Sequence, residues 1–232
     1  MDCYTFSPAD GAPWPAVLMY MDAFAIRPQL AEMAQRLASA GYFVVLPNLY
    51  YRTPFEPFDA THVQAEGPER DRFKRMIQSI DHPMVMRDTA AVIDFVNGSP
   101  MATEKLGVVG YCMGGGYALS AAGTFPERVA AAASFHGGSL ATEKPHSPHL
   151  LADQIRGRVY IGAAEIDPSF PKEQQDRLEA AFTKAGVDYT LELYPGAKHG
   201  FAVSGHLVYD RESAERHWER LLNLFHETLQ QT

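Results

Sequence analysis

The length and composition of the chain are those of a folded globular protein. Its 232 residues are 46% hydrophobic and 21% charged, so the chain can bury a sizeable core without disulfides or metal. The net charge of −8 argues against a protein that binds nucleic acid or an anionic membrane mainly by charge.

The cysteine content and the first residues indicate a cytoplasmic protein. Cys3 and Cys112 are too few for a disulfide scaffold, and we expect Cys3 to lie in a mobile start. The amino-terminal stretch lacks the basic segment and unbroken apolar core of a signal peptide. No run approaches the roughly 18–20 apolar residues of a membrane span. We therefore expect reduced thiols and neither a membrane nor a nucleic-acid partner.

Hydrophobic patterning in the first part of the chain predicts strands that alternate with helices. Short apolar runs bounded by turn residues are typical of buried strands, and apolar residues at helical spacing are typical of helices. In chain order we predict a strand at 15–21, a helix at 27–42, a strand at 43–50 and a helix at 84–98.

Residues 51–82 interrupt this alternation. The segment contains prolines, charged residues and aromatic residues, with a short helix predicted at about 69–80. So long an insertion between a strand and a helix often forms a lid or pocket wall, and a solvated surface loop is the alternative.

The second part of the chain continues the pattern. We predict strands at 106–112, 129–138, 157–167 and 189–196, and helices at 115–126, 172–187 and 211–229. The strands are near-continuous apolar runs, which indicates a parallel sheet buried on both faces. The sequence thus predicts one α/β domain spanning 1–232, with an insertion at 51–82 that forms either a lid or pocket wall or a solvated surface loop.

The stretch "GYCMGGG" at 110–116 places Cys112 between a predicted strand and a predicted helix. It matches the nucleophile elbow G-x-S-x-G with Cys in place of Ser. Glycines at 110 and 114 remove side chains that would clash at so sharp a turn. The backbone N–H of Met113 can then point at a developing oxyanion, and the helix amino terminus favours a thiolate.

Two further side chains can complete a catalytic triad. Asp167 ends the predicted strand 157–167, and His199 follows the last predicted strand in "YPGAKHGF". Active sites of parallel sheets form at the carboxyl ends of strands. The order nucleophile, acid, histidine is that of α/β-hydrolases. The histidine can take the thiol proton while the carboxylate orients it.

Each of these residues also has a reading without catalysis. Cys112 could be an inert buried thiol, His199 a loop histidine, and Asp167 a turn residue close to a second acid, Glu165. His136 could reach the cleft rim or be structural. The glycines do not form a phosphate-binding loop. No cluster has metal-ligand spacing, so we expect neither a cofactor nor a metal.

The sequence resembles the dienelactone hydrolase family of the α/β-hydrolase fold over nearly its whole length. The motifs that carry the resemblance are "GYCMGGG", "AAEID", "YPGAKHGFA" and "AGYFVVLPNLYYR". The resemblance implies a mostly parallel central sheet with helices on both faces. It also implies a Cys–His–Asp triad at Cys112, His199 and Asp167.

The resemblance extends to the segment after the first core strand. Family members carry a glutamate there that helps to generate the thiolate, and Asp22 in "YMDAFA" takes its place with one methylene less. The same comparison with the family implies that the N–H of Ala23 is the second oxyanion donor, beside that of Met113. Phe24, the next residue, is a candidate substrate contact.

Arginines that hold a substrate carboxylate in the family are only partly matched. Val203 stands where one would follow the histidine, and Arg70, or alternatively Arg72, is the nearest match to the other. An apolar contact does not replace an arginine–carboxylate pair. We therefore predict the reaction class rather than the dienelactone substrate.

The favoured hypothesis is a hydrolase that cleaves an ester or lactone of a small molecule through a thiol acyl-enzyme, as a monomer or small homo-oligomer. A non-hydrolytic small-molecule binder or sensor on the same fold is the alternative. A thiol redox protein is the third hypothesis, but no second cysteine stands near Cys112 in the sequence.

Overall fold

The computed structural model describes residues 1–54, 58, 63 and 66–230, so parts of the insertion 51–82 lie outside the described residues. The strands are β1 Cys3–Phe6, β2 Trp14–Tyr20, β3 Phe43–Pro47, β4 Ala102–Tyr111, β5 Val129–Phe135, β6 Arg158–Ile166 and β7 Tyr189–Lys198. The helices are α1 Pro28–Ser39, α2 Pro68–Gln78, α3 His82–Asn97, α4 Met113–Thr124, α5 Lys172–Ala185 and α6 Arg211–Phe225. A 3-10 helix, Pro148–Gln154, and a π-helical turn, His226–Gln230, complete the described elements.

The seven strands form one sheet in the order β1-β3-β2-β4-β5-β6-β7. β1 runs antiparallel to β3, and every other neighbouring pair is parallel. The carboxyl ends of the central strands are in register, with Tyr20 beside Gly110 and Tyr111 beside Phe135. Residues that follow β2, β4 and β5 therefore emerge side by side at one edge of the sheet, which confirms the predicted α/β architecture.

Helix α1 illustrates why the sequence folds as it does. It begins with Pro28 at its first position, where the missing N–H costs nothing. The apolar residues at helical spacing form its buried face: Leu30, Met33, Ala34, Leu37 and Ala38. Gly41, with a φ of 96°, follows the helix and lets the chain turn into β3.

Several details differ from the sequence-based expectations, and the following are the main ones. Cys3 does not lie in a mobile start, because it belongs to β1 and pairs with Pro47 of β3. β4 begins at Ala102 rather than 106. Its first four residues are exposed or half-buried and carry no apolar pattern, so the sequence did not predict them as part of the strand. The 3-10 helix at 148–154 was not predicted.

The insertion 51–82 contributes helix α2, Pro68–Gln78, close to the helix predicted at about 69–80. The assignment of 1–232 to a single domain, with the insertion as lid or pocket wall, stays a prediction. Among the described residues, no helix is both long and apolar enough to cross a membrane.

Candidate active site

The turn from β4 into α4 holds Cys112 in a strained backbone conformation. Its φ of 57° and ψ of −121° are rare for a residue with a side chain. Glycine is required around it, since a Cβ at Gly114 would lie 2.6 Å from the carbonyl oxygen of Met21. A Cβ at Gly110 would overlap the backbone of Gly114. The helix thus begins directly against β2, and the thiol projects from a tight elbow.

The structure brings Cys112, His199 and Asp167 together. The Sγ atom of Cys112 lies 3.0 Å from Nε2 of His199. The Nδ1 atom of His199 lies 2.7 Å from Oδ2 of Asp167. Asp167 directly follows β6 and His199 directly follows β7. The carboxyl ends of β4, β6 and β7 therefore supply a thiol, a carboxylate and an imidazole in one hydrogen-bonded line.

Ser169 supports the acid end of this line. Its Oγ–H donates to Oδ1 of Asp167 at 2.6 Å, and its backbone N–H donates to the same oxygen at 2.8 Å. The Oγ atom also lies 3.1 Å from Nδ1 of His199. Sequence reasoning missed this residue. The signal was present, because a side-chain acceptor two residues before an N–H is typical of an Asx turn.

Asp167 and His199 shift each other's pKa. Burial raises the pKa of the Asp167 carboxyl, but the bonds to His199 and Ser169 outweigh it and lower this pKa. Burial lowers the pKa of His199, yet the negative charge of the Cys112 thiolate and the bond to Asp167 raise it to about 10. This arrangement favours the charged forms of His199 and Asp167.

His136 lies beneath the elbow, at the end of β5. Its Nδ1 atom accepts a hydrogen bond of 3.1 Å from the backbone N–H of Cys112. The ring is 1% exposed and packs edge-on against His199, with 5.4 Å between the centroids. Burial, followed by the charge of His199, holds the pKa of His136 well below its usual range.

Ala23 and Met113 lie on the segments that follow β2 and β4, two strands whose carboxyl ends are adjacent. Ala23 is buried and Met113 is the first residue of α4. Within the described chain, no backbone hydrogen bond uses the N–H of either residue. Both groups are therefore unspent donors, as an oxyanion site requires.

The carboxylate of Asp22 is engaged away from the thiol. Its oxygens accept two hydrogen bonds of 2.7 Å from Arg27 and one of 2.9 Å from the N–H of Phe24. Nε2 of His206 lies 3.3 Å from Oδ2. Burial raises the pKa of Asp22, but the bonds to His206 and Arg27 lower it to about 2. The structure does not bond Asp22 to Cys112, and its role in thiol activation stays a prediction.

Arg27 and His206 were not singled out from the sequence. Arg27 also donates to the carbonyl oxygen of Ala25, whose φ is 66°. Nε2 of His206 lies 2.9 Å from Nη2 of Arg27. The arginine five residues after Asp22 was a visible signal, whereas His206 comes from a loop far along the chain.

Aromatic rings surround the turn that carries Ala23. The ring of Phe24 lies 4.9 Å from that of Phe73 on α2 and 4.8 Å from that of His206. The ring of Phe58 packs edge-on against Phe73 at 5.2 Å. Helix α2 of the insertion therefore contacts the segment next to the candidate oxyanion site.

The arginines predicted to bind substrate lie on the same helix. Arg72 forms an ion pair with Glu69 and covers the ring of Phe58, 4.0 Å from its centroid. Arg70 is half-buried. Val203 is fully buried. Within the described part of the chain, no group of three or more His, Cys, Asp or Glu side chains is arranged to hold a metal ion.

Comparison with known proteins points to one family. The model of the dienelactone hydrolase family matches residues 1–229. A Synechocystis sp. protein with the provisional name carboxymethylenebutenolidase is 27% identical, over 96% of this chain and 89% of its own. A Methylorubrum extorquens protein with the same provisional name is 28% identical, over 96% of this chain and 75% of its own.

Solved structures share the fold. A Klebsiella pneumoniae protein with the provisional name dienelactone hydrolase superposes with a TM-score of 0.84 at 23% identity, covering 96% of this chain and 91% of its own. A dienelactone hydrolase-like promiscuous phosphotriesterase from metagenomic libraries superposes with a TM-score of 0.79 at 24% identity, covering 97% of this chain and 92% of its own.

Proposed function

This chain belongs to the dienelactone hydrolase family and is therefore a hydrolase, and we propose that it cleaves an ester or lactone bond of a small molecule with Cys112 as nucleophile. The observation that carries the proposal is the hydrogen-bonded line from Cys112 through His199 to Asp167, with separations of 3.0 Å and 2.7 Å. Those separations are within the reach that nucleophilic catalysis needs.

In the first half of the reaction, the Cys112 thiol transfers its proton to Nε2 of His199, and the resulting thiolate–imidazolium pair meets the substrate. The Sγ atom then adds to the substrate carbonyl carbon, and the carbonyl oxygen becomes an oxyanion. The N–H groups of Ala23 and Met113 donate to that oxygen. When the C–O bond to the leaving group breaks, His199 gives its proton to the leaving oxygen, and a thioester remains on Cys112.

In the second half, a water molecule replaces the leaving group. His199 removes a proton from the water, and the resulting hydroxide adds to the thioester carbonyl. Collapse of this second intermediate breaks the C–S bond and releases the acid, and the thiolate regains the proton held by His199. With a lactone, the alcohol and the acid are two ends of one product.

Asp167 holds His199 in the tautomer that both halves require. An acceptor at 2.7 Å keeps the proton on Nδ1, so Nε2 faces Cys112 as a base. Ser169 in turn fixes Asp167 through Oδ1. The aromatic rings beside Ala23 support Phe24 as a substrate contact, and half-buried Arg70 and ion-paired Arg72 are kept as further candidates.

A cytoplasmic setting suits this chemistry, because a reducing compartment keeps the nucleophilic thiol free. We propose that setting, and a monomer or small homo-oligomer. Size-exclusion chromatography with light scattering tests the second point.

A panel of activated esters and lactones tests the function. The wild-type protein is expected to release p-nitrophenol from p-nitrophenyl acetate and to open at least one lactone, and Cys112→Ala is expected to do neither above background. Hydrolysis by Cys112→Ala at the wild-type rate would contradict the proposal. Saturable binding without product would favour a small-molecule binder instead.

A further inference from the structure

A buried histidine touches both the nucleophile and the base of the candidate site. His136 follows β5, and its own N–H donates to the carbonyl oxygen of Gly162 in β6 at 2.8 Å. Its φ of 39° is left-handed. The backbone at His136 is thereby anchored to β6, which limits the freedom of the ring.

The contact of His136 with Cys112 is made through the backbone of the nucleophile. The Cys112 N–H is shared between Nδ1 of His136 at 3.1 Å and the carbonyl oxygen of Phe135 at 3.2 Å. A left-handed conformation of a residue with a side chain is strained and persists only where its surroundings hold it. The two acceptors hold the elbow in that conformation.

The contact of His136 with His199 is made through the ring. The two imidazoles meet at 67° with 5.4 Å between their centroids, and Phe201 packs on His136 at 5.3 Å. His136 therefore fills the space behind the base as well as the space beneath the elbow. A shift of this one ring would change the 3.0 Å separation of Sγ and Nε2.

The protonation of His136 follows from the same geometry. Nδ1 can accept the Cys112 N–H only when it carries no proton, so the ring is neutral with its proton on Nε2. The titratable side chains that face it are those of His199, Asp22, His206 and His217. A second charge 5.4 Å from the imidazolium of His199 would be repelled, which keeps the positive charge on the base.

We propose that His136 is a positioning residue whose neutral Nδ1 holds the Cys112 elbow at the reach of His199, an inference that rests on the proposed nucleophile. It touches no reacting atom. Its removal is expected to lower the reactivity of the thiol and the turnover number, and to leave substrate affinity nearly unchanged.

Two substitutions distinguish the contribution of the Nδ1 acceptor of His136 from that of its aromatic ring. His136→Phe keeps an aromatic ring and removes the acceptor. His136→Asn keeps a side-chain acceptor close to the position of Nδ1 and tolerates a left-handed backbone. His217→Phe is the matched control, because His217 is equally buried but its nitrogens face Tyr111 and the Ala214 carbonyl.

The first readout is the rate at which iodoacetamide alkylates Cys112 across about pH 5–9. Peptide mass spectrometry distinguishes this reaction from alkylation of Cys3, and urea unfolding shows that each variant is folded. Loss of one hydrogen bond predicts a roughly tenfold fall in this rate and in kcat for His136→Phe. KM is expected within about twofold of wild type, with most of the loss restored in His136→Asn. A folded His136→Phe with the wild-type alkylation profile, or the same loss in His217→Phe, would overturn the proposal.

The second readout needs no variant that might fail to fold. Long-range nitrogen–proton NMR of the wild-type protein is expected to show His136 neutral and protonated on Nε2. His217 should show the opposite tautomer, since its Nδ1 lies 2.5 Å from the Ala214 carbonyl oxygen. A proton on Nδ1 of His136 would refute the inference. Neither the alkylation rate nor the tautomer of His136 requires hydrolysis, so failure of the proposed function would be seen separately, as absent turnover by the wild type.

Discussion

The Asp22 carboxylate and the Arg27 guanidinium face each other through two hydrogen bonds of 2.7 Å, beside the turn that carries Ala23. Asp22 is 1% exposed and the Arg27 side chain 16%, so the pair is largely shielded from water. Arg27 also donates to the Ala25 carbonyl. The pair therefore closes the turn, and removing one partner would leave a buried charge uncompensated.

The Asp22 pair predicts a contribution to acid stability. Its pKa is lowered from 3.8 to about 2, so this stability is fully present above about pH 4 and is lost as the pH falls through 2. The shift corresponds to about 2 kcal/mol. Urea unfolding at about pH 5 and pH 2.5 should show a smaller acid loss in Asp22→Asn than in wild type. Glu215→Gln removes an exposed ion pair with Arg36 that solvent screens, so its acid loss should differ much less from that of wild type. An unchanged acid loss in Asp22→Asn would contradict the assignment.

Two glycines of α4 predict opposite responses to the same change. Gly114→Ala puts a Cβ 2.6 Å from the Met21 carbonyl oxygen, so it should lower the free energy of unfolding by about 1–3 kcal/mol. Gly116→Ala meets its nearest atoms at 3.8 Å, and the gain in helix propensity should leave stability equal or slightly higher. Urea unfolding of both variants measures this. Equal effects of the two substitutions would show that the close approach of α4 to β2 is misjudged.

The pKa of His199 should depend on Cys112. Burial alone lowers this pKa, and the thiolate and Asp167 raise it to about 10. In Cys112→Ala the thiolate is lost, so the pKa of His199 should fall by about 1–3 pH units. Wild-type His199 should stay protonated until about pH 10, whereas the variant should lose its proton earlier. NMR titration of the ring measures this, and an unchanged pKa would mean that no thiolate–imidazolium pair forms.

Ser169→Ala should weaken the acid of the line. Without the Oγ bond of 2.6 Å, the pKa of Asp167 rises, because that bond lowers it in the wild type. The acidic limb of the kcat/KM profile should move to higher pH, and kcat should fall roughly fivefold to tenfold. Ser120→Ala is the buried control, since the Ser120 hydroxyl has no partner among the described residues. A profile of Ser169→Ala identical to that of Ser120→Ala would remove Ser169 from the account.

The parts of the site that lie next to a local pattern could be predicted from the sequence. Cys112 sits in a glycine elbow, Asp167 follows an apolar strand, and His199 follows a strand in which polar and apolar residues alternate. A parallel sheet brings such strand ends together, so their meeting follows from topology. The buried strands were predicted for the same reason, whereas β1 has four mostly exposed residues and left no hydrophobic signal.

The remaining site geometry depends on contacts that no local pattern encodes. His206 reaches Asp22 across 184 residues, and Arg27 engages the carboxylate that the resemblance had assigned to the thiol. The shorter side chain of Asp22 is satisfied within its own turn by the Phe24 N–H. The direction of the His136 ring is set by the left-handed backbone at its own position, which composition and spacing do not reveal.

Trapping of the acyl-enzyme tests the central claim most directly. The protein is mixed with p-nitrophenyl acetate, quenched in acid within the first turnovers, digested and examined by mass spectrometry. We predict one added acetyl group, carried by Cys112 as a thioester and absent from Cys112→Ala. In His199→Ala, which lacks the base, the same thioester should form more slowly than in wild type. Steady hydrolysis with acetyl on another residue, or undiminished hydrolysis by Cys112→Ala, would contradict the assignment of Cys112 as the nucleophile.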